Sequence, residues 1–360
     1  MVQKPGSKPL RRRLVVLIGL RLRLFFRLRA WRDVPRFPAA SAECLLQIDT
    51  CVSAYLGLAL TDLVAAAVYQ THQLLRALGA GEPKRLALAL SHEALLRGIL
   101  RGRPAAARLL QQAAALAERT GSAYARSHVR FTAAMLSMNR GEWHDASALM
   151  SEVSEVLGEH SHLNAWHTGQ STIFRMACLL WCGELRLLAT QARAALREAQ
   201  ARGQRLIAFE MQLFSLWEPL AADDPHEAAL RTDAALAGAP QSPLFRRRMA
   251  LLAQLQVALY AGEAQRAWEL LCAAWPEYAA SGALRLPLLA VPYHHIRGLA
   301  ALSTQRPSQR PVALAAARWL RRQRTPWSEA LGAALFSGLH RAAGREFDAL
   351  AELESAERGL

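Results

Sequence analysis

The stretch that decides the fold is Arg140-Gly141-Glu142-Trp143-His144-Asp145-Ala146, a Gly followed five residues later by Ala. The same spacing joins Gly102 to Ala107, Gly262 to Ala267 and Gly344 to Ala349. Weaker copies stand at Gly183 with Leu188 and Asp223 with Ala228. The starting positions lie 39, 42, 40, 39 and 82 residues apart, the last being twice 41. A fixed interval of this length marks a stack of helix hairpins. Gly makes each turn where a Cβ would crowd, and Ala lets the two helices approach closely. The expected fold is all-α, an α-solenoid of stacked antiparallel helix hairpins with a period of about 40.

Outward from residue 141, the pattern predicts hairpins over 84–101 with 104–119, 127–139 with 142–157 and 165–181 with 184–202. It continues over 204–220 with 225–237, 243–260 with 263–280, 284–303 with 310–323, and 327–342 with 345–357. Two helices precede these. One runs from Glu43 to Gly57 behind a Ser41 cap, and one from Thr61 to Leu78 carries the stripe Leu63, Ala67, Gln70, Leu74, Leu78. Near residue 303 the Gly is replaced by a polar run, Thr304 to Pro311, expected to be the most exposed joint. No strand-forming run and no Gly/Ser-rich linker interrupts the chain. The expected organisation is a basic N-terminal tail and amphipathic helix over 1–38 and one continuous helical-repeat domain over 39–360.

Composition agrees with helices: 52% of the 360 residues are hydrophobic, and β-branched types are few. The formal charge of +15 is carried almost wholly by Arg. It is concentrated in a basic surface of Arg11, Arg12, Arg13, Arg21, Arg23, Arg27 and Arg29. The apolar run Leu14–Leu20 among these arginines is far short of the roughly 20 residues a membrane span needs. No small-residue cleavage site follows it, so a cytoplasmic protein is expected. The first helix is read as docked on the array with its arginines solvated, in preference to binding a membrane surface. The five Cys residues form no CxxC, and Cys178 and Cys182 read as packing residues with reduced thiols.

Catalytic motifs are absent. A phosphate-binding loop needs a Lys, and none occurs after residue 84; DFG, HRD, GxSxG and HExxH are all missing. His160, His162 and His167, with His144 and Asp145, form the best metal-like cluster, but three or four ligands would have to converge. Capping or solvent-facing histidines are the preferred reading. The pair His294-His295 points in directions about 100° apart, which does not suit a catalytic pair. Asp49 and Asp62 are read as helix-end carboxylates. The Trp residues, among them Trp143, Trp181, Trp217, Trp268, Trp275, Trp319 and Trp327, are read as packing rather than base-stacking groups. No catalytic residue, metal or cofactor is expected.

The joint Gly141, Trp143, Ala146 resembles the tetratricopeptide repeat, in elongated copies, which implies a right-handed solenoid. A second resemblance rests on Ile48-Asp49-Thr50-Cys51-Val52-Ser53-Ala54-Tyr55-Leu56-Gly57-Leu58, then Asp62, Gln70, Leu74-Leu75 and Ala77-Leu78-x-Ala80-Gly81-Glu82-Pro83. Ala261-Gly262-Glu263, Ala267-Trp268, Ala273-Ala274-Trp275-Pro276 and Pro326-Trp327 continue it. This ordered set resembles the helical C-terminal region of large bacterial serine/threonine protein kinases of myxobacterial and planctomycete type. There the array follows kinase and AAA-like ATPase modules. Neither module is present here, so no catalytic residue carries over. The resemblance implies a non-catalytic sensor or scaffold in kinase signalling, either a fragment or a stand-alone adaptor, that binds a protein or peptide. Arg130, Asn139, Arg175, Glu210, Gln254 and Gln256, on first helices, are the candidate contacts. The alternative is an effector-binding regulator that contacts nucleic acid through its Arg-rich N-terminus, where binding would weaken steeply with salt.

Overall fold

The computed structural model describes residues 7–31, 40–59, 62–158, 165–238, 244–280 and 282–359. Among them every regular element is helical. The first nine helices are α1 (Ser7–Ala30), α2 (Ala42–Leu58), α3 (Leu63–Ala80), α4 (Pro83–Arg101), α5 (Arg103–Arg119), α6 (Ala123–Arg140), α7 (Trp143–Gly158), α8 (Ala165–Trp181) and α9 (Leu185–Ala201). The rest are α10 (Arg205–Phe214), α11 (Trp217–Ala221), α12 (Pro225–Gly238), α13 (Leu244–Tyr260), α14 (Ala264–Ala280), α15 (Pro287–Ser303), α16 (Arg310–Arg322), α17 (Pro326–Ala342) and α18 (Glu346–Glu357). Successive helices pack in pairs, as in α2 with α3, α4 with α5, α13 with α14 and α17 with α18. No described helix is long and apolar enough to cross a membrane. The chain divides into two compact units, Met1–Leu136 with Glu152–Asn164, and Ser137–Ser151 with Ala165–Leu360. The basic helix α1 is part of the first.

The first unit is centred on Leu24, Ile48, Leu74, Leu86 and Leu90, all essentially inaccessible to water. Leu24 brings α1 into this core, and a buried polar network fixes it there. The carboxylate of Glu93, 1% exposed, accepts from Arg21 Nη1 at 2.6 Å, Arg97 Nε at 2.7 Å and Gln70 Nε2 at 3.0 Å. Arg21 Nη2 also donates to Gln70 Oε1 at 2.8 Å. Burying a carboxylate is costly unless its lone pairs are filled by cations and donors, and here they are. Arg21 therefore departs from the basic surface set and points inward. Asp62 caps α3 by accepting from Ala65 N at 3.0 Å and pairs with Arg13 at 2.5 Å. Asp49 stands in the middle of α2, not at a helix end, and takes both Arg85 Nε and Nη2 at 2.8 and 2.6 Å.

The second unit explains the Gly-to-Ala spacing. Each joint residue at 141, 183, 203, 223, 262 and 344 has positive φ. The next residue then donates its N–H to the carbonyl five back: Glu142 to Ser137, Glu184 to Leu179, Gln204 to Ala199, Asp224 to Pro219, Glu263 to Ala258 and Arg345 to His340, at 2.8–3.0 Å. This closes the outgoing helix in the Schellman manner. The carbonyl of the same residue accepts from the N–H four further on, at Ala146, Leu188, Ala208, Ala228, Ala267 and Ala349, and so starts the incoming helix. The fifth residue after the turn is thus the first fully bonded residue of its helix. It faces the partner helix, and Ala146, Ala228 and Ala267 are completely buried.

Gly102, in the first unit, breaks the frame. There α5 starts one residue after the Gly, whereas α7, α9 and α14 start two residues after theirs. The inward position consequently falls on Ala106, 2% exposed, and Ala107 is exposed. Asp223, Gln305 and Arg324 adopt positive φ without being Gly, so the left-handed residues of the joints near 305 and 324 carried no Gly mark. The loop after Ser303 is exposed at Gln305–Ser308 but tied down by Thr304 Oγ1, which bonds Gln309 Oε1 at 2.5 Å, with Gln309 buried.

The helix expected over 204–220 is broken between α10 and α11. Pro219 has no N–H to give the Ser215 carbonyl, which accepts instead from Arg231 Nη1 at 3.3 Å. Gly81, within the kinase-like stretch, has φ 66° and lies two residues before α4, but it closes α3 differently, its own N–H donating to the Ala77 carbonyl four back.

Candidate functional site

An apolar concavity of the second unit lies among α7, α8, α10, α11, α13 and α15. It encloses about 160 Å³. Its walls come from Trp143 on α7, Phe174 and Trp181 on α8, Trp217 on α11, Met249 and Leu252 on α13, and Leu288, Leu289 and Pro292 on α15. Among its lining residues only Glu210 and Gln256 carry an amide or carboxylate. Glu210 is 1% exposed, so its carboxylate sits low in an otherwise apolar wall. Apolar walls with few polar groups are the general form of binding concavities, the polar groups setting orientation.

Trp143 and Trp181 on its wall belong to a cluster of three tryptophans. Trp143 stacks on Trp181 with ring centroids 5.5 Å apart and planes 12° from parallel. Trp327 of α17 meets both edge-on, at 5.0 and 5.3 Å. Trp327 also lies over the Gly141–Ala146 joint. A Cβ on Gly141 would stand 2.6 Å from Trp327 Cδ1. Gly is therefore required at 141 twice over, for its φ of 82° and for the indole above it. This contact spans 186 residues of sequence.

Of the candidate contacts, the structure gathers Glu210 and Gln256 into the concavity. Gln254 and Arg175 are half-buried and not among its lining residues. Asn139 is buried on α6. Arg130, in the first unit, is engaged with Glu152 at 3.1 Å. Phe174, Trp217, Met249 and Leu288 escaped the sequence reading as site residues. Their signal, apolar positions three or four apart, is the same one that marks core.

The remaining candidates resolve individually. His160 and His162 lie outside the described residues. His167 is buried, which lowers its pKa to about 4, while His144 and Asp145 are exposed. Among the described residues no group of three or more His, Cys, Asp or Glu is placed to hold a metal ion. His294 stacks on Trp319 at 3.9 Å and meets Trp275 edge-on, and Arg297 lies 3.9 Å over the Trp275 ring. Burial, which disfavours the imidazolium, brings the pKa of both His294 and His295 down to about 4. Burial likewise raises the Cys178 thiol to about 12, leaving it protonated and unreactive. Arg12, Arg13, Arg23, Arg27 and Arg29 are exposed along α1; the side chain of Arg11 lies outside the described residues. Compared with known proteins, the chain matches no protein-family model and no curated protein.

Proposed function

We propose that this chain is a non-catalytic interaction scaffold that binds a protein or peptide partner in the concavity of its second unit. The observation that carries this reading is the wall of Trp143, Phe174, Trp181, Trp217, Met249 and Leu252 around Glu210 and Gln256. Side chains spaced along these helices offer successive apolar seats to the apolar face of a partner helix or strand. The left-handed joint residues recur about every 20 residues, two per hairpin, as expected of a tetratricopeptide-like right-handed α-solenoid with a period of about 40. The likeness of residues 48–83 to bacterial kinase-associated arrays supports a signalling context. In that context the partner is a kinase or ATPase module, or a protein that regulates one, in the cytoplasm.

The test compares partners captured from the source cells by the unaltered chain and by Leu252→Arg, which fills the concavity with a charge. A partner recovered by the first and lost by the second, at equal melting temperature, supports the proposal. Capture of no protein above background by either counts against it.

A further inference from the structure

Among the described residues, helix α1 has a long apolar face that is exposed. Leu24 and Leu28 turn inward with Arg21, yet Val15, Ile18, Leu22, Phe25 and Phe26 are 53–69% exposed. At 100° per residue Ile18, Leu22 and Phe25 fall on one side of the helix with Val15 and Phe26 beside them. Arg12, Arg23 and Arg27 form the neighbouring stripe and are all exposed. The helix contains no acidic residue. An exposed patch of this kind marks an interaction surface.

We propose that α1 lies flat in the surface of an anionic lipid membrane and docks the protein there. The helix is about 36 Å long at 1.5 Å per residue, and its apolar side suits the boundary between acyl chains and headgroups. The arginine stripe lies where lipid phosphates would be, and each long stem reaches the phosphate level while its guanidinium stays hydrated. The Arg21–Glu93 pair fixes the rotation of the helix about its axis, so this face and no other is presented.

Two other occupants suit the chemistry less well. A second copy would set one arginine stripe beside another with no carboxylate on either helix to offset it. Nucleic acid would satisfy the arginines but leave Ile18, Phe25 and Phe26 in water.

The experiment is cosedimentation of the full chain with vesicles of phosphatidylcholine alone and of phosphatidylcholine mixed with phosphatidylglycerol. Binding is expected to the mixed vesicles and not to the neutral ones. Arg23→Gln and Arg27→Gln should each lower the partition coefficient about fivefold. Phe25→Ser with Phe26→Ser keeps the charge and should lower it more than tenfold. Ile18→Ser supplies an independent variant of the same face, and a melting curve checks that each variant is folded. Absence of binding to anionic vesicles overturns the proposal, as does binding that survives loss of both phenylalanines. Duplex DNA binding without vesicle binding, or a dimer that the Phe25/Phe26 variant dissociates without vesicle binding, also overturns it and names the other occupant.

Discussion

Arg21 and Trp327 do comparable jobs in the two units by different chemistry. Each ties a helix to a part of the chain far away in sequence. Arg21 fixes α1 by charge, against the buried carboxylate of Glu93 72 residues away. Trp327 fixes α17 by shape, through ring contacts and by filling the space above Gly141. A charged tie is only as good as its complete set of partners, since an orphaned buried carboxylate is worse than none. An aromatic tie loses area in proportion to what is removed, and its weak point is the small residue beneath it.

The largest test of the comparison is Trp327→Ala. Removing a fully buried indole should cost about 3–5 kcal/mol, read as a fall in melting temperature. Arg21→Ala should cost about 2 kcal/mol, because Glu93 keeps Arg97 and Gln70 but loses its third donor and second cation. Adding Glu93→Leu to it should recover most of that loss, whereas no second substitution is expected to recover Trp327→Ala. Next comes Gly141→Ala against Gly262→Ala. Both force a side chain onto positive φ, about 1 kcal/mol, but only the first meets an indole, adding about 2 kcal/mol of overpacking. Equal losses at the two positions would remove the packing role given to Trp327.

The effect of pH is spread over three residues. His167, His294 and His295 have pKa values near 4 in the folded chain against the ordinary 6.5. The unfolded chain thus binds more protons between these values. Stability is complete above pH 6.5 and declines as pH falls towards 4. The melting temperature should drop by a few degrees between pH 7 and pH 5, and His167→Gln should flatten the slope. A flat profile in the unaltered chain would mean that these imidazoles are not buried.

The helix joints were legible because their causes are local. A left-handed turn, a Schellman closure and the first bonded residue of the next helix all lie within ten residues, and Gly and Ala are the types they need. The joints near 305 and 324 were placed by the helix bounds, but the left-handed residues in them, Gln305 and Arg324, were hidden, because the strain of positive φ on a side chain is only about 1–2 kcal/mol, which surrounding packing can offset. The α10–α11 break was readable in principle from Pro219. The concavity was not. Met249 and Leu252 repeat at core spacing whether the space before them is filled or open, and only the assembled unit distinguishes the two. The indole over Gly141 was equally invisible, because nothing near residue 141 announces a partner at 327.

The short joint at Gly102 has a consequence for how such a chain can vary. Dropping one residue between two helices turns the second about 100° around its own axis. At most positions that would swing a large side chain into the seam. Here the seam simply accepts the neighbouring alanine, because Pro104-Ala105-Ala106-Ala107 offers three small residues in succession. A run of alanines just after a turn therefore works as slack in the phase of the helix. Single-residue insertions and deletions should be tolerated at this joint and rejected at Gly141, where a large ring fixes the phase from outside.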